Sequence, residues 1–394
     1  MEDADIRGDS GVSGGMLESV SLPTPIAGTP ARVSAARVKE RARELGFALV
    51  GVTEVRGSAH AEFYREWLAR GLHGSMDYLG REDAVARRTR PDEAWPALRS
   101  AIVLGMVYAE PNLSADADVE GEASATGTGI VARYALGRDY HRVLKARLLE
   151  LLRWLESESG RELSAARAYV DTGPVLEREL AQRAGLGWFG RNTMLINPGL
   201  GSYFFLGALL VELELEADAP FTADRCGTCA RCVSACPTGA LLGRDASGAP
   251  VMDATRCISY LTIEQRGSIP VELRPLIGDR IYGCDICQEV CPWNGGVRGD
   301  RRKVAEGLAL VRKRELPLVQ LMRMTREEWD LYTRGSAMRR AGYEGLKRNA
   351  AVALGNVLAR GERPAGAVEA LEAALAEGDL IAEHAAWALQ QKAG

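Results

Sequence analysis

The eight cysteines of this 394-residue chain all lie between Cys226 and Cys291. They open as Cys226-x2-Cys229-x2-Cys232-x3-Cys236-Pro237 and close as Cys284-x2-Cys287-x3-Cys291-Pro292, with Cys257 alone between the runs. The first run has the bacterial spacing for cubane iron–sulfur clusters, in which the fourth cysteine binds the other of two clusters. The second run has the same shape once Cys257 serves as its first member. This predicts two 4Fe-4S clusters, one on Cys226, Cys229, Cys232 and Cys291, the other on Cys236, Cys257, Cys284 and Cys287. Paired C-x2-C motifs would also suit zinc, but a third cysteine three residues on and a closing Cys-Pro in both runs fit zinc poorly. Disulfides belong to small secreted chains, and this chain is not small. An electron relay follows from the spacing; the destination of the electrons does not.

A second constellation is Asp171-Thr-Gly-Pro-Val-Leu-Glu-Arg178, directly after an apolar strand-like run at 166–170. Pro174 suits the first turn of a helix, where its missing N–H costs nothing. Asp171 therefore reads first as a turn or capping carboxylate. Its second reading is a general acid, because strand ends face the ligand crevice of α/β sheets. Gly185, Gly187 and Gly190 follow a helix rather than a strand, which is not the dinucleotide fingerprint; they are expected to let a large flat ligand approach the backbone. His141, in Arg138-Asp-Tyr-His141, reads as a hydrogen-bonded structural histidine, with substrate contact second.

These residues need elements to hold them. Periodicity predicts a helix over 33–45, a strand over 48–53, a helix over 63–69, an all-apolar strand over 101–108, a helix over 143–156 and a long strand over 203–215. Residues 81–99, with Arg81, Arg87, Arg88 and Arg90, read as a solvated loop, and 111–129 as a polar loop. The last hundred residues are helical, and 349–354 (NAAVAL) is echoed at 384–389 (HAAWAL), as in stacked HEAT-like repeats. Arg339, Arg340, Lys347 and Arg348 cluster there, and a further basic group falls at 298–314. Such clusters are compatible with a polyanion or with ordinary solvated arginines. Net charge of −4 decides nothing between them. No apolar run reaches the roughly 18 residues a membrane span needs. Residues 1–30 lack a basic start followed by an apolar segment and read as a disordered extension, so a cytoplasmic protein is expected. The expected class is α+β: an α/β domain over 31–215, a two-cluster ferredoxin-like domain over 216–297 and a helical domain over 298–394.

Taken in order, Arg138-Asp-Tyr-His141, Asp171-Thr-Gly-Pro-Val-Leu-Glu-Arg178, Gly185-Leu-Gly-Trp-Phe-Gly-Arg-Asn-Thr193, Gly201-Ser-Tyr-Phe-Phe205 and Cys284-Asp-Ile-Cys-Gln-Glu-Val-Cys-Pro-Trp-Asn294 resemble the epoxyqueuosine reductase family. The resemblance runs from about residue 33 to the C-terminus. It implies a cobalamin-dependent enzyme whose two clusters feed electrons to the cofactor in the N-terminal domain. The implied reaction converts the epoxide of epoxyqueuosine to queuosine at the wobble position of tRNAs for Asp, Asn, His and Tyr. By the same resemblance Asp171 is the proton donor, which displaces the structural reading, and a donor active near neutral pH should be buried with a raised pKa. Tyr134, Tyr140, His141, Arg178, Asn192 and Thr193 are the candidates for the pocket. Arg178 should face substrate rather than pair with Asp171. Arg339, Arg340, Lys347 and Arg348 are the tRNA-binding candidates, and an external electron donor and a monomer are expected. The Asp139-x-His141 pair lacks the glycine of the Asp-x-His-x-x-Gly cobalt-ligating signature, since Leu144 stands there, so His141 is not read as a cobalt ligand. The alternative is a related cobalamin and iron–sulfur reductase, dehalogenase-like, acting on a small molecule.

Overall fold

The apolar run near residue 100 forms the strand Ser100–Val107, buried at every position. The computed structural model, which describes residues 33–109, 127–295, 305, 308 and 312–391, places this strand in the middle of a four-stranded sheet. Leu49–Glu54 lies on one side of it, Phe204–Val211 on the other, and Arg167–Tyr169 forms the edge beyond. Ile102, Leu104 and Met106 face the helices Ala35–Glu44 and Tyr140–Ser159, while Ala101, Val103 and Val107 face the helix Glu177–Arg183. A sheet covered on both faces is what a continuous apolar strand requires. The expected α/β arrangement is nevertheless corrected, because every pairing in this sheet is antiparallel.

Local chemistry sets the helix ends. The Ser34 side chain caps the first helix, and Asp139 caps Tyr140–Ser159, which stops at the left-handed Gly160. The expected loop at 81–99 is instead mostly helical. Glu82 and Asp83 sit in the first turn of Glu82–Thr89 and Arg87 and Arg88 in its last, each charge complementing the helix dipole. Arg88 is buried there, its guanidinium 6.0 Å from the Tyr64 ring centre. Pro174 does not open a helix. The helix begins only at Glu177, because Asp171 takes a left-handed conformation (φ +60°) that ends any regular path out of the strand.

The expected boundary at residue 298 does not coincide with a break in packing. One core joins Val131 and Leu136, Ile258 to Tyr282, and the tail helices Leu318–Arg323, Gly342–Ala359 and Asp379–Gln390. A three-stranded sheet takes one strand from each of three segments: Thr128–Val131, Arg280–Tyr282 and Glu315–Pro317. The echoed hexapeptides lie at this junction. Asn349 Nδ2 donates to the carbonyls of Thr262 and Ile281, and the matching His384 accepts the N–H of Ile269 at Nε2. No helix among the described residues is long and apolar enough to cross a membrane. The extension at 1–30, most of the polar loop at 111–129 and most of the basic stretch at 298–311 lie outside the described residues.

Candidate active site

Two segments with unusual backbone meet at one cavity. Among the described residues the non-glycine positions with positive φ are Asp171 (+60°) and Thr193 (+62°), and both line the same cavity of about 850 Å³. A left-handed threonine is costly, and such strain persists where the surroundings hold it and collects at functional sites. Arg178 Nη1 donates to the Thr193 carbonyl, tying the two segments together. The cavity is near the upper end of the roughly 300–1,000 Å³ range of small-molecule sites. Phe63, Trp67, Val175, Leu176, Trp188, Phe189 and Met252 supply its apolar wall. Asp171, Glu177, Arg178, Thr193, Asp224 and Arg244 are among its polar lining groups.

Behind Asp171 lies an aromatic stack. Phe205, Tyr140 and His141 stack in succession with ring centres 4.0 Å apart at both steps, and Tyr134 meets Tyr140 edge-on at 6.1 Å. The stack aims two polar atoms at one carboxylate oxygen. Tyr140 Oη donates to Asp171 Oδ2 at 2.7 Å, and His141 Nε2 stands 3.4 Å from the same oxygen. On its other side His141 Nδ1 is 2.8 Å from Asp139 Oδ1. Placed between two carboxylates, the imidazole is pushed up to about 9: burial lowers its pKa, but the bonds to Asp139 and Asp171 and their charges outweigh it. Burial alone would raise Asp171, yet the bonds from His141 and Tyr140, with the charges of His141 and Arg178, bring it below the ordinary carboxylate value.

That corrects the expected raised pKa. The Asp171 side chain is 65% exposed, and the surface it shows opens into the cavity. At neutral pH the dyad therefore holds its proton on His141, with Asp171 ionised. The protonated carboxyl in the cavity is Glu177, which sequence reasoning passed over. Burial and the nearby Asp171 charge push it up to about 8. Its signal was its place beside Arg178, one helical residue from a candidate.

The other candidates divide. Arg178 lines the cavity as expected, and among the described residues no ion pair joins it to Asp171, although its charge acts there. Thr193 lines the cavity. Asn192 does not; it is buried and its Nδ2 donates to the Cys287 carbonyl at 3.2 Å. Tyr134 and Tyr140 back the site without lining it. Gly187 and Gly190 have a packing role in the hairpin Trp188–Phe189/Leu195–Ile196, since a Cβ at Gly187 would sit 2.2 Å from the Ile196 carbonyl oxygen, and Gly185 packs on the Ala219 carbonyl.

The neighbours of the thiols mostly follow the two expected sets, with one crossing, Cys232 acting on Cys287. Burial raises the Cys291 thiol to about 11, and Cys226, Cys232 and Cys229 are the neighbouring thiols that add to it. Cys287 is raised by burial, then chiefly by Cys284 and Cys257, and Cys257 in turn feels Cys236. All eight are free thiols. Among the described residues no three His, Cys, Asp or Glu side chains gather as a single-ion site would need; a four-iron cube is ligated at its corners, so its ligands stand wider apart. Trp188, in the cavity wall, donates from Nε1 to Cys226 Sγ at 3.4 Å. The segment after Cys287 docks on the sheet domain. Gln288 Nε2 and Asn294 Nδ2 both reach Ser202, and Gly201 permits the approach, since a Cβ there would meet Asn294 Oδ1 at 2.1 Å.

The basic candidates of the tail are mostly committed elsewhere. Lys347 and Arg348 are 3% and 1% exposed, which corrects their assignment to an RNA surface. Lys347 pairs with Glu377, and Arg348 donates to the carbonyls of Leu261, Gln265 and Gly267. Lys347 is thus buried within the tail, against Met324, Tyr343 and Glu377, whereas Arg348 faces the cluster-bearing segment. Arg339 pairs with Asp330 and Arg340 with Glu264, both at the surface.

A large half-apolar cavity with an acid–base dyad, whose wall residue Trp188 bonds a cysteine of the two-run motif, defines an iron–sulfur oxidoreductase. Residues 225–294 match the model of the 4Fe-4S double cluster binding domain, and residues 88–172 match that of epoxyqueuosine reductase QueG, DUF1730. The chain is 41% identical over 366 residues to the epoxyqueuosine reductase of Pseudomonas aeruginosa, covering 92% of this chain and 95% of that one. It belongs to the epoxyqueuosine reductase family. Solved relatives agree in fold. An epoxyqueuosine reductase with a tRNA-Tyr epoxyqueuosine-modified tRNA stem loop superposes with a TM-score of 0.76 at 28% identity, covering 91% of this chain and 90% of that one. The Bacillus subtilis enzyme, solved with a catalytic aspartate loop swung out of the active site, gives 0.75 at 27% identity with the same coverage.

Proposed function

We propose that this protein reduces the epoxide of epoxyqueuosine in the anticodon wobble position of tRNA to queuosine, as the last step in making that nucleoside. The observation that carries the reading is the Asp171 carboxylate, held by Tyr140 and His141 at the wall of a cavity that the cluster-bearing segment helps to close. Net, the epoxide takes two electrons and two protons and yields an alkene and water. Cys226, Cys229, Cys232 and Cys291 hold one 4Fe-4S cluster, and Cys236, Cys257, Cys284 and Cys287 the other, passing single electrons inward from an external donor.

The family resemblance implies cobalamin, and the cavity residues fit it. The volume, the apolar wall and the scattered polar groups suit a broad, mostly apolar ligand with hydrogen-bonding edges. Phe63, Trp67, Trp188, Phe189 and Met252 would hold its faces, and Arg178, Glu177 and Thr193 would meet polar substituents of cofactor or substrate. When bound, it supplies a low-potential cobalt nucleophile that the side chains cannot provide. The protein's part is the proton. As the C–O bond breaks, the departing oxygen takes one proton from Asp171, which draws it from His141 Nε2 through their shared contact, and a second from solvent as it leaves as water. Asp139 keeps the imidazole oriented, and Arg178 stabilises negative charge in the cavity. The strained turn at Asp171 suits a mobile catalytic segment, and the swung-out aspartate loop of the B. subtilis relative supports that role.

The three expected segments divide the work: 31–215 around cofactor and epoxide, 216–297 for the clusters, and 298–394, in the HEAT-like reading, for grip on the RNA. The substrates are the tRNAs for Asp, Asn, His and Tyr, and the protein acts as a monomer. The test is nucleoside analysis of epoxyqueuosine-bearing tRNA after incubation with anaerobically prepared protein, cobalamin and reductant. Queuosine should accumulate. Unchanged epoxyqueuosine, with both clusters intact and cobalamin bound, would reject the reading.

A further inference from the structure

Of the four basic residues nominated for RNA contact, Arg340 alone combines exposure with nearness to the catalytic cavity, and a carboxylate holds its guanidinium in place. Its Nε and Nη2 donate to the two Glu264 oxygens at 2.9 and 2.7 Å, which fixes the plane of the guanidinium. Its guanidinium carbon lies 5.9 Å from the centre of the Tyr78 ring. Tyr78 is 44% exposed, among the few large apolar side chains left in solvent. It projects from the short turn Asp77–Leu79, whose next residue, Leu79, lines the catalytic cavity. That turn is pinned from the cavity side, where Tyr64 Oη donates to the Leu79 carbonyl at 2.9 Å. Burial and Glu264 raise the Tyr78 hydroxyl, Arg340 opposes them, and the Asp171 carboxylate is close enough to add to the rise. Tyr78 and Arg340 thus form a half-exposed pair beside the rim of the cavity.

We propose that Tyr78 and Arg340 are a stacking platform for a nucleobase next to the modified nucleotide, holding the anticodon loop open while the wobble base enters the cavity. The proposal rests on the reading that the substrate is an RNA loop. Single-stranded RNA is read by bases laid on aromatic rings and guanidinium planes, and such stacking tolerates any base. Glu264 fixes the plane of the guanidinium, which a lysine ammonium could not reproduce.

The test is a double-mutant cycle on binding of an epoxyqueuosine-modified stem loop, with the nucleotide on the 5′ or the 3′ side of the modified one made abasic. On the intact loop, Tyr78→Ala should raise Kd about tenfold. On one of the abasic loops it should have no further effect. Arg340→Lys, which keeps the charge, should weaken binding comparably and leave the salt dependence of Kd as in the wild type, because stacking releases no counterions. The visible absorption of the clusters reports that the variants are folded. Additive effects of Tyr78→Ala with both abasic loops, or wild-type binding by Tyr78→Ala, would overturn the platform. A wild-type protein that leaves the stem loop unreduced would overturn the underlying reading, and the platform with it.

Discussion

At the scale of single residues, where the proton resides matters more than which residue is named the acid. Asp171 emerged from its motif, but its environment could not. Its two hydrogen-bond donors come from Tyr140 and His141, 31 and 30 residues earlier in the chain. Burial alone would favour a protonated carboxyl, but the bonds from His141 and Tyr140 and the charge of His141 hold Asp171 below the ordinary carboxylate value, while the two carboxylates hold His141 above its own. His141 titrates near 9 against an ordinary 6.5. The stability of its ion pairs is fully present below pH 6.5 and lost as pH rises through about 9. Turnover should follow the same alkaline limb in a rate–pH profile, and His141→Asn should abolish that limb and slow turnover by about 10²-fold or more. A variant retaining the wild-type limb would show that His141 is not the reservoir. Glu177 offers a second check. Its value of about 8, against 4.5 ordinarily, means that the folded state favours the protonated form. Stability from this group is present below pH 4.5 and is lost between there and about 8. Thermal melts should therefore find Glu177→Gln increasingly more stable than wild type as pH rises from 6 to 8.5, and the gap should close toward pH 5.

Among the elements, helices and strands were legible wherever apolar periodicity was strong. The strand near residue 100, the helix after Asp139 and the helical tail all appear close to where the pattern puts them. Three features were misread, each for a local reason. The arginine-rich segment at 81–99 looked like a loop because its two prolines drew attention, yet its charges are ordered along a helix dipole. Gly187 and Gly190 looked like ligand space but pack within a hairpin. The basic pair Lys347 and Arg348 looked like an RNA surface because charge in sequence carries no sign of burial. Arg348 stitches the helix Gly342–Ala359 to the segment carrying Cys257, through three carbonyl oxygens. Arg348→Met should leave those acceptors unpaired and destabilise the protein by about 2–4 kcal/mol. Thermal melting checks this; unchanged stability, with a flattened salt dependence of RNA binding, would return Arg348 to the surface role.

For the whole molecule, sequence composition suggested three consecutive domains, whereas packing joins the last two into one core. The chain crosses between them: Thr128–Val131 from the N-terminal segment pairs with strands from both others. No composition shift reveals such a shared sheet, because its strands are three or four residues long and their partners are distant in sequence. Removing residues 312–391 should therefore not give a trimmed enzyme active on the free nucleoside. It should expose the core around Ile258, Leu261 and Ile281 and yield protein that loses its clusters, seen as loss of visible absorption and aggregation on size exclusion. A monodisperse, cluster-loaded truncation would show that the tail is a separate unit.

The central claim is that Asp171 delivers the proton that lets the epoxide oxygen leave within an RNA-bound substrate. Single-turnover conversion of an epoxyqueuosine-modified stem loop by Asp171→Asn, beside the wild type, tests it most directly. The protein should be loaded with cobalamin and reduced, and binding of the same loop should be measured in parallel. The account predicts that the variant binds the loop and keeps both clusters but forms queuosine at least about 10²-fold more slowly. Queuosine formed at the wild-type rate by Asp171→Asn would contradict it.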